Sequence, residues 1–180
     1  QQAALLFRER VREGPISIVT RPSVDGIAAL AILIRTFDAC DFTYAVTYTP
    51  YLDDATLSFL ATTSYSAFFF LDFQANDSLE KKLPNKDLFF FSHFPSHITS
   101  PHFIHINPFL DGLDGAHDIS TAGLCYFFAK SLTTVQHFFS VLALVGAVGC
   151  LQEHSHGFLG HNRDILKDAL NQGGLSMKEG

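Results

Sequence analysis

Most of the side chains placed for chemistry in this sequence stand directly after short apolar runs. Ser23 and Asp25 follow Ile16-Ser17-Ile18-Val19-Thr20, and Asp72 ends Ala67-Phe68-Phe69-Phe70-Leu71. Ser92 and His93 follow Leu88-Phe89-Phe90-Phe91, and Asn107 and Pro108 follow Phe103-Ile104-His105-Ile106. Carboxylates and imidazoles at neighbouring strand ends can converge on divalent cations, and two metals about 3.5–4 Å apart are a standard device for phosphodiester hydrolysis. Asp and His are the oxygen and imidazole donors that suit manganese or magnesium.

Each of these residues also has an ordinary reading. Asp25, before Gly26 and an apolar helix, can sit near free helix amides, and a strand-end acid such as Asp72 can cap the helix after it. His93 shares its segment with His97, His102 and His105, whose spacing matches no closed zinc site; this favours a polar loop over the sheet edge. His154, His156 and His161 read as exposed loop residues. Cys150 has the chemistry of a nucleophile, yet nothing nearby in sequence lowers its pKa or pairs it with a base, so a small buried residue is the simpler reading. Arg8, Arg10 and Arg12 alternate with other residues as on a solvated helix face.

The elements that must position these groups are legible from periodicity. The five apolar runs, Phe42 to Thr47 being the remaining one, look like short strands buried on both faces. Helical patterns separate them: Gly26 to Phe37, Asp53 to Ala61 with Asp53 or Asp54 as N-cap, and a short one over Asn76 to Leu83. Strand and helix alternating in this way predict βαβ units and an α/β fold with a mainly parallel five-stranded sheet flanked by helices. In such sheets ligands bind beyond the carboxyl ends of the strands. A C-terminal helical segment follows, over Ile119 to Leu132 with Ser120 or Thr121 as cap, Val135 to Val148, and Asn162 to Leu170. Residues 1–172 therefore read as one domain, and 173–180 as a linker or tail.

Composition narrows the classes. The 180 residues are 47% hydrophobic and carry 12 Lys and Arg against 18 Asp and Glu, a net charge of −6 that argues against a surface built wholly for polyphosphate. Three cysteines without CxxC spacing make a disulfide framework unlike this chain and favour a reducing, intracellular setting. The most apolar stretch, Phe138 to Gly149, is shorter than the roughly 20 residues of a bilayer span, so no membrane association is expected. Nineteen Phe and no Trp suggest a core that uses Phe where Leu is usual.

The order of motifs resembles the DHH phosphoesterase superfamily, in particular its archaeal RecJ-like branch. Arg21-Pro22-Ser23-Val24-Asp25-Gly26 lies where that family has His-x-Asp-x-Asp-Gly, Phe70-Leu71-Asp72 where a strand ends in Asp, and Ser92-His93-Phe94-Pro95 where the Asp-His-His motif falls. Asn107-Pro108, Ser120-Thr121-Ala122-Gly123 and Val145 to Cys150 match later family elements. The resemblance implies relic metal positions at Asp25, Asp72 and His93, and replaced ones at Arg21, Ser23, Ser92, Phe94 and Cys150. It also makes Asn107, Ser120 and Gly123 candidates for substrate contact, and Phe94 either a stacking surface or a filler of the cleft. With five positions replaced, no catalytic residue and no cofactor are expected. The sequence looks like the degenerate branch that serves as a subunit of the replicative CMG helicase, with GINS and MCM as implied partners, weak binding to single-stranded DNA, and an intracellular place beside chromosomal DNA. The family's second domain is expected to be absent after Gly174. The alternative is a manganese-dependent (or magnesium-dependent) phosphodiesterase or single-strand 5′–3′ exonuclease with a reduced site on Asp25, Asp72 and His93. Arg21 either points to solvent from its loop or reaches into the vacated metal position and pairs with Asp72, Asp25 or both.

Overall fold

A computed structural model of the chain describes residues 1–11, 14–75, 78–96, 98, 103–134 and 137–176. Five strands, β1 (Ile16–Thr20), β2 (Tyr44–Tyr48), β3 (Ala67–Leu71), β4 (Asp87–Phe91) and β5 (Phe103–Ile106), form one sheet in the order β2-β1-β3-β4-β5. All four pairings are parallel. The chain moves outward from β1 in both directions, so a crevice opens where β1 and β3 lie side by side, the switch point at which such sheets bind ligands. Register makes the strand ends level: Thr20 pairs with Leu71, and Leu71 with Phe91. Whatever follows these residues therefore emerges along one edge.

The alternation of side chains across the sheet divides the core in two. Ile16, Ile18, Phe69, Phe89 and Phe91 face a layer of α1 (Gln2–Arg10), α2 (Val24–Ala39), α5 (Thr121–Leu132), α6 (His137–Gly149) and α7 (Gly160–Asn171), meeting Phe7, Phe37, Phe128, Ala147 and Ile165. Val19, Phe68, Phe70, Leu88, Phe90 and Phe103 face α3 (Asp54–Ala61) and α4 (Ser78–Lys82) through Leu57, Leu60 and Leu79. The Phe-rich composition thus becomes an aromatic ladder. Phe69 and Phe89 stack with centroids 4.6 Å apart, and Phe70 and Phe90 at 5.6 Å. Each fully buried Phe contributes roughly 1.5–3 kcal/mol through burial, so the sheet is a rigid base for its carboxyl edge.

Local chemistry sets the helix starts. The Asp53 side chain accepts from the Thr56 amide at 2.8 Å, and that of Ser120 from the Gly123 amide at 3.1 Å. The second strand begins two residues later than its apolar run, at Tyr44, and α7 starts at Gly160 rather than Asn162. The expected helices at Asn76 and Val135 begin on residues outside the described ones; α4 and α6 are seen from Ser78 and His137. Periodicity gives no sign of the 3₁₀ turn over Pro108–Asp111 or of the two-residue strands β6 (Glu153–His154) and β7 (Gly157–Phe158), which are too short to carry a repeat. Helix α1 is tied down rather than free on its polar face: Arg8 donates to the Leu132 carbonyl at 2.9 Å, and Arg10 lies 3.5 Å from Asp87. Among the described residues no helix is long and apolar enough to cross a membrane.

Candidate functional site

Ser23 caps α2, its Oγ accepting from the Gly26 amide at 2.9 Å, and this places Asp25 in the first turn facing inward. Glycine is needed at 26, because a Cβ there would stand 2.4 Å from the Arg21 carbonyl oxygen. The Asp25 carboxylate then crosses to another helix. Its Oδ2 accepts from the Thr121 amide and its Oδ1 from the Ala122 amide, both at 2.8 Å, so a buried negative charge meets the positive end of α5. The approach depends on Gly146 of α6, where a Cβ would lie 2.4 Å from Asp25 Oδ1 and 2.5 Å from the Ala122 Cβ.

Asp72 is fixed by the turn that ends β3. Its φ is 62°, in the left-handed region that Asp tolerates better than most residues, and its amide donates to the Phe91 carbonyl at 3.1 Å. The buried carboxylate receives a short hydrogen bond from the Ser23 hydroxyl on Oδ2, and the Arg21 Nε lies 3.6 Å from the same oxygen. The other oxygen, Oδ1, is buried and has no hydrogen-bond partner among the described residues.

His93 stands between the two acids. Its Nδ1 is 3.4 Å from Asp25 Oδ2, 3.6 Å from Asp72 Oδ1 and 3.1 Å from the Thr121 hydroxyl. The Asp25 carboxylate, which can only accept, is in keeping with the imidazole proton on Nδ1. Phe94 stacks on the His93 ring with centroids 4.3 Å apart, and the Arg21 guanidinium lies 5.7 Å from the Phe94 ring centroid, so that Arg21, Phe94 and His93 form a layered wall. Cys150, just past α6, donates its thiol toward Asp25 Oδ2 at 3.3 Å.

The electrostatics follow from these contacts. Burial pushes the Asp25 carboxyl upward, but the hydrogen bond and charge of His93 and the two α5 amides outweigh it, and the group titrates below the ordinary carboxylate range. Burial also pushes Asp72 up; the Ser23 hydroxyl opposes this, the charge of Asp25 adds to it, and Arg21 and His93 only moderate the result, which stays above the ordinary value. The Cys150 thiol is raised far above its usual range by burial and then by the neighbouring carboxylates, which makes it a poor nucleophile.

The structure therefore brings together Arg21, Ser23, Asp25, Asp72, His93, Phe94 and Cys150 in one cleft. His93 does lie in the loop after β4, at the sheet edge, but not as a solvated polar residue: its side chain is 13% exposed and wedged between carboxylates, a position that only the folding of β4 beside β3 creates. For Arg21 the expected pairing with Asp72 is present at 3.6 Å, but the entry into the pocket is not. Its side chain is 41% exposed and faces Asp72 from outside, while the inner position between the acids belongs to His93. Ser92 is buried, and its hydroxyl accepts from the Phe94 amide at 3.2 Å. The candidates for substrate contact are engaged internally: Asn107 accepts from the Phe109 amide and donates to the Phe94 carbonyl, Ser120 caps α5, and Gly123 packs against Ile119 and Ile165. Asn107 also borders a separate cleft of about 900 Å³ beside α1 and α5. His105 lies on β5, where Asn107 Nδ2 approaches its Nε2 at 3.2 Å, and His161 lies on α7 against Phe127. The ring of His154 packs on that of His117, and His156 is exposed. His97, His102 and Arg12 fall outside the described residues. Sequence reasoning missed Thr121 and Gly146 as parts of the site; the run Ser120-Thr121-Ala122-Gly123 was the available signal, but which acid its amides would meet was not.

A parallel sheet in this order, flanked by helices, defines the class as an α/β domain whose fold is shared with RecJ. RecJ of Thermus thermophilus in complex with Mn²⁺ matches it with a TM-score of 0.76 at 20% identity, over 94% of this chain and 26% of that one. An exonuclease RecJ bound to manganese gives 0.74 at 19% identity over 94% and 46% of the two chains. CDC45 from Entamoeba histolytica gives 0.70 at 16% identity over 98% and 37%. Both branches that the motifs resemble are thus represented among proteins sharing the fold. No family model matches the sequence. An uncharacterized protein of Methanocaldococcus jannaschii is 26% identical over 163 residues, covering 87% of this chain and 37% of that protein. The chain spans well under half the length of that relative.

The residues present do not fit a pair of hard cations like manganese. Of the Asp25 oxygens both already receive backbone amides, and Asp72 Oδ2 is taken by Ser23 and faced by a guanidinium. Ser23, Ser92 and Cys150 supply no carboxylate. No hydrolytic step can be derived from this donor set.

Proposed function

We propose that the chain is a catalytically degenerate RecJ-like domain that acts as a binding or structural subunit in DNA replication, within a helicase complex with GINS and MCM and inside the cell beside chromosomal DNA. The observation that carries this reading is that three of the four oxygens of the two cleft carboxylates are engaged by groups of the protein itself. The two relic carboxylates are held by the α5 amides, Ser23, His93 and Arg21, groups that neutralise their charge from within the protein. An active two-metal hydrolase needs its carboxylates free to face cations and an attacking water; here they serve to join α2, β3, β4 and α5. The fold shared with CDC45 is in keeping with a domain whose use is its surface. With a net charge of −6, affinity is expected from protein contacts more than from phosphate contacts, so single-stranded DNA binding is weak and steeply salt-dependent.

The test has two arms. Incubated with 5′-phosphorylated single-stranded DNA and manganese, the purified chain should release no nucleotides, and a tagged copy should retain purified GINS at physiological salt. Turnover that disappears in the Asp25→Ala, Asp72→Ala double variant would establish the exonuclease alternative instead. Submicromolar binding to bare single-stranded DNA with no retention of GINS would count against the subunit role.

A further inference from the structure

We propose that the trough between α1 and α5 receives a short acidic amphipathic helix of a partner protein, seated on Leu5, Ile106, Leu124 and Phe127 and held at its carboxylates by Arg8. The sheet stops at β5, and the helical layer over that edge leaves an opening of about 900 Å³, near the upper end of the range of ligand pockets. Its walls are fixed by the core. Phe7 of α1 is buried against Phe42, Phe69 and Phe128, with ring centroids 4.9, 5.6 and 5.8 Å away, and this sets the rotation of the helix about its axis. Leu5 and Arg8, three residues apart, consequently share a face that lines the opening, and Leu5 is 59% exposed.

Helix α5 supplies the other wall through Leu124, Phe127 and Ser131, a repeat of three and four residues that stays half-buried. The stretches Gln1 to Arg8 and Leu124 to Ser131 each run about 10 Å at 1.5 Å per residue, the length of two helical turns. Their ends are tied together where Arg8 donates to the Leu132 carbonyl at 2.9 Å. A trough walled by two helices accepts the ridge of a third, whose anchors recur every three or four residues.

Charge selects the partner. The chain carries −6 overall, yet the titratable groups lining the trough are Arg8, Lys130 and His161 against Asp111 alone. Lys130 and His161 already face acids, Asp168 at 2.7 Å and Asp164 at 3.5 Å. Among the described residues no carboxylate pairs with Arg8. Its bond to the Leu132 carbonyl fixes the guanidinium and leaves further N–H donors for a ligand. A fixed guanidinium beside an apolar floor matches a carboxylate at the margin of an apolar helix face. The inference rests on the reading of the chain as a binding subunit, but not on GINS or MCM being what it binds. Retention of GINS and binding of a peptide in the trough are separate measurements, so either can fail alone.

The experiment is selection of a phage-displayed random library of roughly 12-residue peptides, about three helical turns, on the immobilised chain. The recovered sequence is then titrated as a labelled synthetic peptide by fluorescence anisotropy. Recovered sequences should carry Leu or Phe three or four positions apart among Asp and Glu, and binding should weaken as salt is raised. Arg8→Glu should weaken binding by about tenfold or more, the loss of one charge-assisted contact. Leu5→Glu, at an exposed helix position, should do the same. Ile27→Glu, on the exposed apolar face of α2 and outside the trough, should leave binding unchanged. Recovery of no common sequence, or of basic or uncharged ones only, overturns the proposal. Full binding to Leu5→Glu, loss on Ile27→Glu, or displacement of the peptide by equimolar single-stranded DNA overturns it as well. Should Arg8→Glu not fold by circular dichroism, Leu5→Glu and the recovered composition still decide.

Discussion

Replacing Gly146 with alanine measures how closely α6 must approach the buried acid. The added Cβ would stand 2.4 Å from Asp25 Oδ1 and 2.5 Å from the Ala122 Cβ. Carbon atoms in contact normally stand about 3.5–4.0 Å apart, and neither neighbour is the free end of a flexible side chain: Ala122 is part of the α5 backbone turn, and Asp25 is pinned by two amides. Helix α6 must therefore withdraw by roughly 1 Å. Overpacking of this kind costs about 1–3 kcal/mol, and stretching the charged hydrogen bonds of Asp25 adds to it, since each such bond is worth about 1.5–3 kcal/mol. Against this, removing a glycine from a helix interior returns about 0.8–1.0 kcal/mol. The net expectation is a loss of about 1–3 kcal/mol, a fall of several degrees in melting temperature for a chain of this size. Urea unfolding followed by circular dichroism should show a lower midpoint with an unchanged slope. An unchanged or higher midpoint would falsify the close-approach argument, because helix propensity alone would then govern the site.

Three further outcomes are expected. Arg21→Ala should cost no more than about 1 kcal/mol in urea unfolding, as befits a half-exposed ion pair at 3.6 Å; a loss above about 3 kcal/mol would mean that the guanidinium acts as a buried partner. Asn107→Ala removes the bonds to the Phe109 amide and Phe94 carbonyl and should cost about 2–3 kcal/mol by the same measurement, a value near zero ruling out their importance. Burial, opposed by the Ile98 backbone, lowers the His105 imidazole from 6.5 to about 4. The unfolded chain therefore binds more protons in that window, and stability that is full above pH 6.5 should decline as pH falls toward 4, by about 1–2 kcal/mol after allowing for partial exposure. His105→Gln should flatten that part of the pH profile, and an identical profile in the variant would assign the decline elsewhere.

The sheet was readable because its signals are local. Runs such as Phe68-Phe69-Phe70 are long enough to exclude a surface strand, and the alternation that sends Phe69 to one face and Phe68 and Phe70 to the other is a property of the strand itself. The caps Asp53 and Ser120 were visible because each bonds an amide three residues away, whereas the cap at Ser23 was not foreseen. The hairpin of Glu153–His154 with Gly157–Phe158 was not, since two-residue strands carry no period.

At the site, the sequence by itself determined which residue types would gather at the carboxyl edge, because level strand ends bring β1, β3 and β4 to one line whatever their side chains. Only the tertiary structure decided what those side chains would do. Asp25 bonds amides 96 and 97 positions further along the chain, and its thiol neighbour is 125 positions away. Such pairings depend on how closely α2, α5 and α6 approach, which is set by Gly146 and the packing around it rather than by any periodicity. For the same reason Arg21 stays at the rim while His93, read from the sequence as a polar loop residue, enters the cleft. Arg21 leaves β1 at the exposed rim with a half-exposed side chain, whereas His93 leaves β4 beside Phe94 and Thr121, where burial and the Asp25 carboxylate hold its ring.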